Sequence, residues 1–313
     1  MGLDGSSHDR GCLLGLALGD ALGVARGGGL VGRLVWAGVG RGRDGERRGA
    51  SSTRMTLDLV ASLVACERLD KTDLAKRLAA SYQRRLRYDP GLAKVLLRIR
   101  EGDRWETATR SAEREGARGN GAAVRAAAIG LWCAVDRDDL EQRARASAVV
   151  THAHPLAQEG AVLIARAVSE GVRGGRTSEI LGGVLVSVRH DLHLGQLARV
   201  GEMLDGNSKG SVASRARRLG TSRGALESCS TALFIALAHL DDPFDALIET
   251  AVSAGGHVDA IAAMAGAVWG AANGVSALSE DLLEQLEGRY EIDALARDLH
   301  ALAQPAELHA RSA

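Results

Sequence analysis

Glycines at positions 11, 15, 19 and 23 fall four residues apart in an apolar run, and Ala262, Gly266, Gly270 and Gly274 repeat that spacing near the other end of the chain. Residues four apart share one face of a helix, so each series forms a ridge almost bare of side chains. An interior glycine costs a helix about 1 kcal/mol relative to alanine, a cost offset where another backbone comes close. The two faces therefore predict that the N-terminal helix packs against the helix following Asp259. The plainest meaning of the glycines is a tight structural contact.

Periodicity near 3.6 dominates the remainder. Leu74 and Leu78 recur one turn apart behind Thr72, a plausible N-cap. Pro155 predicts another helix start, because proline at the first helical position loses no hydrogen bond, and the pattern runs to about Val172. Val184 to Val188 resembles a strand in isolation but lies within a helix-length pattern, and aromatic residues make up only 3% of the chain. With 313 residues, 46% of them apolar, the chain can bury a large core. The expected architecture is all-α, a compact multi-helix bundle forming a single domain over residues 1–313. Gly206 to Gly224, rich in Gly, Ser and Arg without apolar period, is expected as a basic surface loop, either over the site or simply solvated.

Lys+Arg and Asp+Glu are equal at 39 each, so no bulk field draws the chain to nucleic acid or an anionic membrane. Lysine occurs only at 71, 76, 94 and 209, leaving arginine, the better bidentate phosphate ligand, to carry the basic charge. Cys12, Cys66, Cys133 and Cys229 are widely separated in apolar helical stretches, which suits buried thiols and a reducing cytoplasm. No export or membrane segment is expected, since Asp4, His8 and Asp9 precede the first apolar run and Asp20 interrupts it. The surface pattern shows no clear association seam.

Three segments lead straight into apolar helical patterns: Ala50 to Thr56, Gly119-Asn120-Gly121-Ala122-Ala123, and Gly255-Gly256-His257-Val258-Asp259-Ala260-Ile261. A helix start offers unpaired amides and a partial positive charge, and glycine lets a phosphate or ribose approach them. Asn120 can donate and accept there, and Ala122 and Ala123 leave room. Ser51, Ser52, Thr53 and Asp259 can equally be plain N-caps. His152 and His154, flanking a helix start, can bind a ligand, move a proton, or cap and pack. An i, i+2 pair diverges on a helix and does not chelate one ion.

Together with Gly11-Cys12-Leu13-Leu14-Gly15-Leu16-Ala17-Leu18-Gly19-Asp20-Ala21-Leu22-Gly23, these segments resemble the ADP-ribosylglycohydrolase family. The resemblance extends through Val124 and Arg125, through Thr151-His152-Ala153-His154-Pro155, and through Leu226-Glu227-Ser228 with Thr231-Ala232-Leu233, covering roughly Arg10 to Gly274. It implies an ADP-ribose pocket lined by the Gly119-Asn120-Gly121 segment and, in active members, a dinuclear magnesium site. That site has a Thr-Asp-Asp-Thr string, an Asp-x-Asp-Thr string after two glycines, and a glutamate after the first glycine-rich helix. Here Ala50, Ser51 and Ser52 replace the first three positions and only Thr53 matches. His257 replaces the first aspartate of the second string, Asp259 keeps the second, and Ala260 replaces threonine. Around Arg26 to Gly29 there is no glutamate, and Asp20 is expected to be a structural helix residue.

Magnesium takes hard oxygen ligands, and two such ions need several carboxylates. The expectation is therefore a homologue without magnesium-dependent hydrolysis and without metal or cofactor, binding ADP-ribose or a related nucleotide, free or on an ADP-ribosylated target. Ser51, Ser52, Thr53, Gly119, Asn120, Gly121, His152, Gly255 and Gly256 are its expected ligand-binding residues. Two alternatives stand beside it: an enzyme using Asp259 with His257 or His152 as acid and base, without magnesium or with a softer ion at His257 and Asp259, and a scaffold whose cleft holds a partner protein. Arg54 or Trp36 filling the cleft would favour the scaffold.

Overall fold

The computed structural model describes residues 5–27, 47–112, 118–205 and 208–304. Its helices run in chain order α1 (Gly5–Gly27), α2 (Ser51–Cys66), α3 (Lys71–Ser81), α4 (Pro90–Arg100), α5 (Trp105–Ala112) and α6 (Gly121–Arg125). There follow α7 (Ala127–Trp132), α8 (Leu140–Ala148), α9 (Pro155–Val172), α10 (Thr177–Ser187), α11 (Asp191–Leu204) and α12 (Val212–Leu219). The last are α13 (Ala225–Ala238), α14 (Phe244–Ala254), α15 (Val258–Asn273), α16 (Glu280–Glu284) and α17 (Arg289–Ala303). Among the described residues, β pairing is limited to isolated bridges of Arg47 with Leu286 and Gly119 with Gly224. The fold is all-α, and no helix among the described residues is long and apolar enough to cross a membrane.

The two glycine ridges meet. A Cβ added to Gly19 would lie 2.6 Å from the carbonyl carbon of Ala262, and one on Gly23 would lie 2.9 Å from Cα of Asp259. Gly15 faces Gly266 and Gly11 faces Gly270 in the same way, so α1 and α15 run antiparallel in backbone contact. Such contact leaves no room for a methyl group, and it brings the C-terminal end of α1 beside the N-terminal end of α15. On its other side α1 is held by α17, through the Arg10–Asp293 ion pair at 2.5 Å and His300 Nδ1 at 2.7 Å from Asp9 Oδ2. The resulting core is aliphatic and continuous, with Leu13, Leu18 and Leu22 of α1 and Ile261, Ala265 and Val268 of α15 buried within it.

Pro155 starts α9, which ends at Val172 as the pattern predicts, and Val184 to Ser187 belong to α10. Two local expectations are corrected. Asp70, not Thr72, is the N-cap of α3, its side chain accepting from the amides of Thr72 at 2.9 Å and Asp73 at 3.0 Å. A carboxylate two residues earlier reaches both amides, which makes the threonine part of the helix. The stretch from Gly206 to Gly224 is not wholly loop: it contains α12, capped by Ser211 accepting from the Ser214 amide at 3.2 Å. Only Ala216 and Leu219 of α12 are buried, an apolar pair too short to register as a period among the arginines.

The backbone contact makes opposite predictions for two helical glycines. Gly19→Ala must push α1 from α15 and should destabilise the protein by about 1–3 kcal/mol in urea unfolding. Gly195→Ala, in α11 with nothing within 4 Å of the added carbon, should stabilise it by up to about 1 kcal/mol. Equal effects from the two would contradict the packing described.

Candidate functional site

At the shared end of α1 and α15, Asp20 is fully buried and holds the start of α2. Its Oδ2 accepts from the Ala50 amide at 2.7 Å, the Thr53 amide at 2.9 Å and the Thr53 hydroxyl at 2.8 Å. None of Ser51, Ser52 or Thr53 caps α2 as a side chain; a carboxylate from another helix serves instead. Oδ1 of Asp20 has no hydrogen-bond partner among the described residues. Burial pushes the Asp20 carboxyl up to about 7, helped by the nearby charge of Asp259 and opposed by the donors from Thr53 and Ala50.

The Gly119-Asn120-Gly121 loop is set from beneath. Arg125 is fully buried, and its Nη2 donates 2.8 Å bonds to the Ser147 carbonyl and the Thr151 hydroxyl. The carbonyls at the C-terminal end of α8 carry partial negative charge, which compensates a guanidinium that has no ion pair with a carboxylate among the described residues. Burial lowers the Arg125 pKa to about 9. Thr151 Oγ1 lies 2.7 Å from Nδ1 of His152, and the imidazole fills the space under the glycines. A Cβ on Gly121 would stand 3.2 Å from His152 Cε1, and one on Gly119 would stand 3.4 Å from Nε2. Burial, with the charge of Arg125 added, lowers the His152 pKa to about 3, so the ring is neutral.

Asn120 orders the rest by its amide. The Ser228 hydroxyl donates to the Gly224 carbonyl at 2.8 Å, so its oxygen accepts from Asn120 Nδ2 at 3.0 Å. The second hydrogen of that amide meets His257 Nδ1 at 3.0 Å. An Nδ1 that accepts leaves the ring proton on Nε2, which faces Asp259 Oδ1 at 3.4 Å. Burial is the main cause lowering the His257 pKa, with Asp259 working against it. Backbone bonds pin the neighbouring loops: Asn120 N to Arg223 O at 3.1 Å, Ala225 N to Arg118 O at 2.9 Å, and His257 N to Thr221 O at 2.8 Å. Gly256, at φ 76°, lies directly against Thr221, where a Cβ would collide with the Thr221 side chain and carbonyl.

Two adjoining spaces result. A crevice of about 20 Å³ has Ser51, Ser52, Gly119, Asn120 and Gly121 on one side and His257, Asp259 and Ala260 on the other. It opens beside a cleft of about 390 Å³ lined by Gly23, Thr221, Ser222, Gly256, His257 and Asp259. Arg87 and Arg223 line both spaces. The structure thus brings eight expected residues to one place: Ser51, Ser52, Gly119, Asn120, Gly121, Gly256, His257 and Asp259.

Three expected ligand-binding residues lie elsewhere. Thr53 is held by Asp20 and borders a separate space of about 280 Å³ with Arg48, Arg54 and Glu287. His152 sits behind the glycines, its ring packed against Gly119 and Gly121. Gly255 lines neither space and, at φ 79°, ends α14 by donating to Ala251 O at 3.2 Å. His154 caps α9, Nδ1 accepting from the Leu156 amide at 3.1 Å. Asp89, Arg87 and Arg223 were not singled out by sequence. Asp89-Pro90 is a legible helix start, and Asp89 Oδ1 does accept from the Gly91 amide at 2.8 Å. The arginines belong to no motif, and Arg223 reaches the site only because its backbone pairs with Asn120.

This donor set does not fit a pair of magnesium ions. No three His, Cys, Asp or Glu side chains among the described residues are grouped to hold a metal. The carboxylates lining the crevice are Asp89 and Asp259; the first is occupied by Gly91 N and by Arg223 at 3.5 Å, and the second faces His257. Two divalent ions about 4 Å apart repel by roughly 16 kcal/mol at an effective dielectric near 20, a term these two carboxylates leave largely unopposed.

The fold is all-helical, and the starts of α2, α6 and α15 converge at one cleft. Residues 6–308 match the family model for ADP-ribosylglycohydrolase, and the chain belongs to that family. It is 34% identical to mouse ADP-ribosylhydrolase ARH3, across 95% of this chain and 92% of that protein. It is 29% identical to the Rhodospirillum rubrum ADP-ribosyl-[dinitrogen reductase] glycohydrolase, across 95% and 96%. A solved structure described as an ADP-ribosylglycohydrolase-related protein complex has the same fold, with TM-score 0.70 and 23% identity over 96% of this chain and 99% of that one.

The buried carboxyl of Asp20 predicts a pH signature. Its native pKa, about 7, exceeds the ordinary 3.8, so between those values the folded state holds a proton that the unfolded chain releases. The contribution is complete below about pH 4 and is lost as pH rises through 7, amounting to a few kcal/mol at most. Urea unfolding of the wild type should show that decline between pH 4 and 8 relative to Asp20→Asn, which cannot titrate. Parallel profiles would contradict the assignment.

Proposed function

We propose that this chain is an ADP-ribosylglycohydrolase homologue that binds ADP-ribose or a related nucleotide in the cleft and lacks magnesium-dependent hydrolysis. The observation that carries the reading is the crevice wall itself, where Ser51, Ser52 and His257 stand with Asp259 at the convergence of the three helix starts. Cleavage at an anomeric carbon with two bound ions requires them to orient ribose hydroxyls and a water. Neutral hydroxyls and a neutral imidazole cannot hold such ions. Binding makes no such demand: the glycine loop and the first amides of α15, which have no intrahelical acceptor, remain available to ribose and phosphate oxygens.

Calorimetry with ADP-ribose in chelator and in magnesium checks this. Equal affinity in both, with no release of ribose product, is expected. A micromolar complex formed only with magnesium would overturn it.

A second reading is favoured by one contact, His257 Nε2 facing Asp259 at 3.4 Å. A carboxylate oriented by a neutral histidine can serve as a lone general base, although ordinary glycosidases employ two carboxyl groups. Under this reading wild type hydrolyses ADP-ribosylated arginine, serine or nucleic acid, or free nucleosides, in chelator and Asp259→Asn does not. Under the leading reading neither turns over. Of the two side chains whose place in the cleft would favour a scaffold, Arg54 lines the separate space and lies 3.2 Å from Asp58, and Trp36 falls outside the described residues.

A further inference from the structure

The mouth of the cleft carries positive charge with few partners among the described residues. Arg87, exposed and at φ 58° after the turn Arg84–Leu86, has no hydrogen bond or ion pair with a described residue. Arg223 has one distant carboxylate contact, Asp89 Oδ2 at 3.5 Å, and its side chain is 54% exposed. Both border the 390 Å³ cleft and the crevice behind it, and both act electrostatically on His257. Of the two carboxylates lining the crevice, Asp89 caps α4 through Oδ1 and Asp259 Oδ1 stands 3.4 Å from His257 Nε2. Val258 and Asp259 also border the cleft at the start of the sixteen-residue α15, whose first amides have no intrahelical acceptor.

We infer that Arg87 and Arg223 together bind the phosphate groups of a diphosphate-bearing nucleotide at the cleft mouth, without a divalent ion. This deepens, and rests on, the assignment of the cleft as a nucleotide site. A guanidinium presents a planar fork of donors matched to phosphate oxygens, and it supplies charge where the carboxylate set cannot retain metal. Arg223 is placed by the backbone bond from Asn120, so the loop that meets the ribose end of the cleft also fixes one phosphate ligand. The distant Asp89 contact is weak enough for a phosphate to displace it.

The test measures binding of ADP-ribose, inorganic pyrophosphate and adenosine in chelator, for wild type, Arg87→Ala and Arg223→Ala. Both side chains are exposed, so unchanged melting temperatures are expected. Wild type should bind ADP-ribose and pyrophosphate, more weakly as salt rises. Each variant should lose about tenfold or more for both phosphate ligands and nothing for adenosine, with partial recovery in Arg223→Lys. ADP-ribose bound equally by all variants in chelator would overturn the arginine assignment while leaving the cleft a nucleotide site. No ADP-ribose binding by wild type, with or without magnesium, would overturn both.

Discussion

Everything at the cleft descends from the backbone contact between α1 and α15. Because Gly11, Gly15, Gly19 and Gly23 meet their counterparts in register, two helices separated by most of the chain end at one level. Asp20 is thereby placed close enough to Asp259 to feel its charge. Close-packed interiors transmit small shifts, so sliding one ridge along the other would move the start of α15 away from α2 and dismantle the site.

From that anchor the remaining pieces are tied by single, identifiable bonds rather than by a sheet. Asp20 holds α2, Asn120 joins Ser228 to His257, and Thr221 receives the amide that opens α15. Arg125 and His152 lie beneath the glycine loop as a buried polar pair, neither touching the cleft. The site thus has two parts of different physical kind: a buried supporting layer that shapes the loops, and a crevice lining that includes Ser51, Ser52, His257 and Asp259.

The helical class and the pairing of the two ridges were legible in sequence, since glycine spacing and 3.6 periodicity report local geometry directly. So was the convergence of Ser51, Ser52, the Gly119 loop and His257, because each precedes an apolar helix of a known pattern. What escaped were relations carried across space. Thr53 looks like a cap or ligand until Asp20 is seen to claim its hydroxyl. His152 looks like a site histidine until the glycines are seen to rest on it. Arg87 and Arg223 carry no motif, and nothing local distinguishes them from the other arginines of a chain that uses arginine for nearly all its positive charge.

The central claim is that the cleft keeps the shape of its family while its lining no longer holds a pair of divalent cations. Anomalous scattering from a crystal grown with ADP-ribose and soaked in manganese, a heavier stand-in for magnesium, tests it most directly. The account predicts nucleotide density at the cleft with no anomalous peak between Ser52, His257 and Asp259. Two peaks about 4 Å apart at that position, bridged to ribose oxygens, would contradict it.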